Sequence, residues 1–101
     1  MFFSKIPAIT TKELEQNLHE KPVIIDVRTD NEFVEGHIPG AKNIPLQIIN
    51  EYTPTTKCYV ICESGMRSKQ AVKQLKAKGY EVTNVKGGMR AWNGPRKGGK
   101  E

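Results

Sequence analysis

Cys62 is followed by Glu63, Ser64, Gly65, Met66, Arg67 and Ser68, and this run holds the parts of a nucleophile and its cradle. Residues 58–62 read as a short buried strand ending in a thiol, and a long helical pattern follows. A cysteine where a strand gives way to a helix faces backbone N–H groups and the positive end of a helix dipole. Both features lower a thiol pKa and hold an anion beside sulfur. Gly65 lets the backbone curl so that successive N–H groups point inward. Ser64 and Ser68 can add hydroxyl donors. Arg67 falls in the first turn of the helix, where a cation opposes the dipole, so its position calls for an anion to offset it. Glu63 complicates the cup. Facing the pocket, it repels an anionic donor and raises the thiol pKa; facing solvent, it does little.

The elements that must position this loop are legible as alternating strands and helices. Thr10 to Glu13 has the form of a capping box and opens a short helix with Leu14 and Leu18 on one face. Val23 to Val27 is a nearly uninterrupted apolar run, which fits a strand buried on both faces. Asp30 to Glu35 predicts a helical turn with Phe33 and Val34 inward. Gly36 to Gly40 is turn chemistry. Asn43-Ile44 reads as a short strand, and Pro45 opens a helix over Leu46 to Glu51. Met66 to Lys78 is the clearest helix, with Ala71, Val72 and Leu75 as its inner stripe and Gly79 at its end. Glu81 to Val85 is a third strand. Gly87-Gly88 leads into a short helix with Ala91 and Trp92, and Trp92 reads as core. This order predicts an α/β fold with a mostly parallel central sheet flanked by helices. Sites in such sheets lie beyond the carboxyl ends of strands, where Cys62 falls.

Bulk properties narrow the function classes. A chain of 101 residues with 37% apolar content suits one domain with a small core. The core is expected over about 9–92, with 93–101 as a flexible tail. Met1-Phe2-Phe3 is too short for a leader or a membrane span, so a cytoplasmic protein without a membrane partner is expected. Two cysteines then favour free thiols. A Cys58–Cys62 disulfide on one extended strand would have to close roughly 13 Å between Cα atoms, against a limit of about 7 Å. Cys58 reads instead as a small buried apolar residue. The net charge of +5 invites a nucleic-acid reading. However, Lys69, Lys73, Lys76 and Lys78 share one helix as a solvated face, and no aromatic residues are interleaved with them. No nucleic-acid partner is expected.

Several motifs occur in a fixed order. They are Asp26-Val27-Arg28, Glu32-Phe33, Gly36-His37-Ile38-Pro39-Gly40-Ala41, Asn43-Ile44-Pro45, the Cys62 to Ser68 loop, and Gly87-Gly88-Met89-Arg90-Ala91-Trp92. Each is weak alone. Together they resemble a single-domain rhodanese, a sulfurtransferase, from about Ile9 to Trp92. The resemblance implies a persulfide mechanism. Cys62 takes a sulfane sulfur from a small donor such as thiosulfate or a persulfide. It then passes that sulfur to cyanide, a thiol or a protein acceptor. Residues 63 to 68 hold the anion, and Arg67 attracts the donor. Neither a metal nor an organic cofactor is required.

The remaining polar residues read as support. Arg28 and Glu32, four apart, are expected to form an ion pair that holds the loop after Asp26, in preference to direct catalysis. His37 is expected to be buried and to fix the Gly36 to Gly40 turn, with general base as the other role. His19 is expected to be exposed. Two alternative functions remain. One is a cysteine phosphatase or arsenate reductase, whose loops carry five residues between cysteine and arginine, against four here. The other is a sulfur carrier or docking module that serves one protein partner.

Overall fold

The two strongest apolar runs lie side by side at the centre of the sheet. In the computed structural model, which describes residues 6–100, Val23–Asp26 pairs in parallel with Cys58–Ile61, and Asp26 lies opposite Ile61. The Met1–Phe3 run discussed above lies outside the described residues.

The strands are β1 (Ala8–Thr10), β2 (Val23–Asp26), β3 (Lys42–Asn43), β4 (Cys58–Ile61) and β5 (Val82–Lys86). They form one five-stranded sheet in the order β1-β5-β4-β2-β3, with every pairing parallel. The helices are α1 (Thr11–Gln16), α2 (Asp30–Glu35), α3 (Met66–Ala77) and α4 (Gly88–Ala91). Leu46–Glu51 is a 3-10 helix rather than an α-helix, with Pro45 at its N-cap. The first helix is also shorter than its spacing predicts. It ends at Gln16, and Leu18 begins a separate 3-10 turn.

The expected capping box at Thr10 is present, and α2 has a second one. Thr10 caps α1 and Glu13 reaches back to it. Thr29 caps α2 and Glu32 reaches back to the Thr29 N–H at 2.9 Å. Such reciprocal bonds satisfy N-terminal donors that a short helix otherwise leaves open.

Successive side chains of a strand point to opposite faces, and here both faces are covered. Ile25, Val60 and Val82 pack with Ala71, Val72 and Leu75 of α3 and with Ile49. Ile24, Ile61 and Val85 pack on the other face with Leu14, Phe33, Met89 and Trp92. This explains the lack of polar alternation in β2 and β4. Val34 does not turn inward as expected; it is 37% exposed, and Phe33 alone anchors α2 in the core. Lys69, Lys73, Lys76 and Lys78 are exposed, as a solvated helix face requires.

The segment after Trp92, expected to fray, is hydrogen-bonded to the domain. Lys97 and His37 exchange backbone bonds of 2.8 and 2.9 Å, and Gly99 N–H donates to the Val34 carbonyl. Arg96 Nη2 donates to the carbonyls of Met89 and Trp92. No helix of the described residues is long and apolar enough to cross a membrane.

Candidate active site

Cys62 stands one residue beyond β4, and α3 begins four residues later. Its sulfur accepts the Gly65 N–H at 3.0 Å and lies 3.3 Å from Ser68 Oγ. Gly65 makes the curl possible. It sits at φ +100, where an L side chain is strained, and a Cβ there would meet Gly87 N at 3.3 Å. The loop is also held from behind by α4. Met89 N–H donates to the Cys62 carbonyl and Arg90 N–H to that of Glu63, at 2.8 and 2.9 Å. Gly88 permits this approach: a Cβ on it would run into the Cys62 carbonyl oxygen and stand 2.6 Å from that of Glu63.

The thiol is wholly buried, so a donor reaches sulfur only when neighbouring loop side chains give way. Burial pushes its pKa up, but hydrogen bonds outweigh it. The Ser68 hydroxyl and the backbone N–H groups of Ser68, Gly65 and Ser64 bring the thiol below its ordinary value of 9.0. The Ser64 side chain is exposed and contributes through its backbone. Cys58 shows the opposite balance. It is equally buried, and burial alone pushes it up to about 11. Both cysteines are free, so one is an inert core residue and the other a poised thiol.

The ion pairs differ from the sequence expectation. Arg28 does not bind Glu32. Its guanidinium lies flat against Asp26, with bonds of 2.8 to 3.1 Å, and donates to the Gly36 carbonyl at 2.7 Å. Asp26 is fully buried and Arg28 nearly so, which makes this fork the anchor of the β2 end. Glu32 instead turns to Arg67. The two groups form a bidentate pair, Nη1 to Oε1 at 2.8 Å and Nη2 to Oε2 at 2.9 Å. Arg67 holds the Glu32 carboxyl down to about 2, with help from Thr29. The anion that offsets a cation in the first turn of α3 is therefore a carboxylate of the chain itself.

Glu63 is half-buried and reaches Arg28 Nη1 at 3.5 Å, between the two orientations that the sequence left open. Met66 is 68% exposed beside the loop. His37 is buried, stacks on Phe33 at 3.7 Å, and directs Nδ1 to the Phe33 carbonyl. That geometry suits a residue fixing the turn. His19 is exposed beside Glu20.

Two supporting residues escape sequence reasoning. Asn43 donates through Nδ2 to the carbonyls of Asp26 and Arg28 and clasps the β2 end. Asn84, buried on β5, accepts the Ser68 hydroxyl at 2.5 Å. The available signal for Asn84 was a carboxamide between the apolar Val82 and Val85 of the expected third strand. A groove of about 530 Å³ lies at the start of β2, the end opposite the thiol. Its lining includes Leu18, Lys21, Val23, Pro39 and Lys42 and holds no cysteine, histidine or carboxylate.

A parallel α/β sheet with a cradled thiol beyond its central strand is the arrangement that the ordered motifs imply. The chain belongs to the rhodanese-like domain family, which it matches over residues 10–95. It is 42% identical over 99 residues to the Bacillus subtilis protein YtwF, provisionally named a sulfurtransferase, covering 92% of this chain and 96% of that protein. It is 39% identical over 98 residues to YrkF of the same organism, provisionally named a sulfur carrier protein, covering 90% of this chain. The match spans only 53% of YrkF, about half its length. A crystal structure of a rhodanese-like domain protein from Staphylococcus aureus superposes with a TM-score of 0.84 at 42% identity, covering 93% of this chain and 99% of that one.

Proposed function

We propose that the protein is a sulfurtransferase working through a Cys62 persulfide. The observation that carries this reading is the contrast around sulfur. A fully buried thiol is brought below its ordinary pKa by the Ser68 hydroxyl and by inward N–H groups, while buried Cys58 is not. Donors that stabilise a thiolate stabilise the anion of a persulfide at the same place.

The steps balance without an oxidant. The Cys62 thiolate attacks the outer sulfur of the donor, and a new S–S bond forms as the donor's own S–S bond breaks. Its electron pair leaves with the inner fragment, as a thiolate from a persulfide or as sulfite from thiosulfate. An acceptor thiolate or cyanide then attacks the outer sulfur of Cys62, and Cys62 leaves as a thiolate.

The charges around the loop bear on the donor. Arg67 is spent on Glu32, and Glu63 adds a carboxylate beside Arg28. This balance favours a low-molecular-weight or protein persulfide over dianionic thiosulfate. It also speaks against a phosphate monoester, which needs a free arginine. The test is a steady-state assay with thiosulfate, glutathione persulfide and cyanide or thiol acceptors. Turnover that disappears in Cys62→Ser supports the proposal; equal turnover in that variant contradicts it.

The name of YrkF favours a second reading, a domain that carries sulfur to one protein partner. That reading predicts Cys62 persulfidation with slow release to small thiols, accelerated when the partner is added.

A further inference from the structure

We propose that Asn84 is a positioning residue that sets the direction of the Ser68 hydroxyl proton, and that its carboxamide turns over when Cys62 ionises. The inference rests on the reading of Cys62 as a working thiolate.

The geometry is a chain of three side chains from three elements. Cys62 Sγ lies 3.3 Å from Ser68 Oγ, and Ser68 Oγ lies 2.5 Å from Asn84 Oδ1. Cys62 and Ser68 are fully buried, so solvent supplies no spare partner at Sγ or Oγ, while Asn84 keeps 7% of its surface exposed. Ser68 has one hydroxyl proton, whereas Oδ1 of a carboxamide can only accept. In this arrangement the proton of Ser68 is therefore directed at Asn84. It cannot serve sulfur at the same time. The chain that satisfies every group is S–H to Oγ, then O–H to Oδ1, which is the arrangement of the neutral thiol.

Ionisation reverses the demand. The proton leaves Cys62 for solvent, and the thiolate now needs a donor. If the Ser68 hydroxyl swings to sulfur, Oδ1 loses its partner in a buried place, which is costly. A half-turn of the carboxamide removes the conflict. Nδ2 then occupies the place of Oδ1 and donates to Ser68 Oγ, and Ser68 donates to sulfur. Oxygen and nitrogen of a carboxamide are nearly the same size, so the turn needs no repacking. Asn84 thus serves both protonation states, which neither aspartate nor an apolar residue can do.

The neighbouring charges do not replace it. Arg28 is matched by Asp26 and Glu63, and Arg67 by Glu32. Arg67 does feel the Cys62 charge. Among the described residues, none of these five groups bonds to Ser68 or Asn84.

The test follows the Asn84 side-chain NH₂ signal by NMR through the Cys62 titration, in the wild-type protein. The signal should shift with the same midpoint as Cys62 and stay still in Cys62→Ser. Alkylation of Cys62 by iodoacetamide at pH 7, resolved from Cys58 by peptide mapping, gives the second readout. Asn84→Leu should slow it about fivefold, the scale of the one net hydrogen bond that the Ser68 donor loses behind it in the thiolate state. In a Ser68→Ala background the same substitution should change it less than about twofold, because the route through Ser68 is gone. An NH₂ signal that ignores the titration, or an equal slowing with and without Ser68, overturns the proposal. Neither readout uses a sulfur donor, so a failure of sulfur transfer leaves this result separate.

Discussion

Glu32 and Arg67 close on each other as a two-pronged pair across thirty-five positions of sequence, with both prongs at 2.8 to 2.9 Å. The pair ties the start of α2 to the start of α3. It also occupies the guanidinium of Arg67, the one cation of the Cys62 to Ser68 loop. Each partner is about a third exposed, so its worth to stability is modest beside its effect on the local field.

Releasing Arg67 should therefore change donor preference. Glu32→Gln keeps an acceptor for the Thr29 N–H, so the cap of α2 survives. It removes the charge that holds Arg67. The expected result is a kcat/KM for thiosulfate raised roughly three- to tenfold, the scale of one charge-assisted contact, with little change for glutathione persulfide. Parallel kinetics with the two donors check this.

The same carboxylate should leave a signature in acid. Its pKa falls from 4.5 in the free side chain to about 2 in the fold. A depressed folded pKa means stability that is fully present above 4.5 and lost as pH falls toward 2. Denaturant unfolding of wild type and Glu32→Gln at pH 7, 4, 3 and 2.5 should show a stability difference that shrinks through the lower part of that range. A constant difference would argue against the ion pair.

Gly88 has no room for a side chain. At φ +58, with the carbonyls of Cys62 and Glu63 where a Cβ would stand, Gly88→Ala must push α4 off the loop. The expected cost is about 2–4 kcal/mol, read as a lower denaturation midpoint. Reactivity of Cys62 should fall as well, since α4 holds the loop backbone from behind.

Arg28→Lys tests the buried fork. Lysine keeps the charge but cannot reproduce the flat contact with Asp26 together with the bond to Gly36. Asp26 is fully buried, and a poorly matched buried charge is costly, about 3 kcal/mol. Thermal and denaturant unfolding give the value. Asp26→Asn combined with Arg28→Lys should lose less than the two single losses added together.

The sequence displayed what is local. Apolar runs marked β2 and β4, the inner stripe marked α3, and the order Cys62, Gly65, Ser68 marked the cradle, because neighbours in sequence build each of these. What it hid depends on distant partners. The four-residue spacing of Arg28 and Glu32 suggested a pair, yet Arg28 meets the carboxylate of Asp26 two residues back, and Glu32 of α2 meets Arg67 of α3. Strand β1 has only three residues and no apolar pattern; its pairing with β5 defines it. The tail reads as Gly-rich and polar, but it is held by backbone bonds of Lys97 and Gly99 and by the Arg96 side chain reaching carbonyls, which composition does not reveal. Asn84 stood in plain view as a polar residue in a strand. Its meaning appears only when α3 brings Ser68 against it.

A Cys62 persulfide is read most directly from the intact mass of the protein after incubation with each sulfane donor and removal of the excess. Wild type should gain one sulfur atom, located on Cys62 by peptide mapping, absent in Cys62→Ser and reversed by cyanide or a thiol. No gain with any donor, or an undiminished gain in Cys62→Ser, would contradict the persulfide reading.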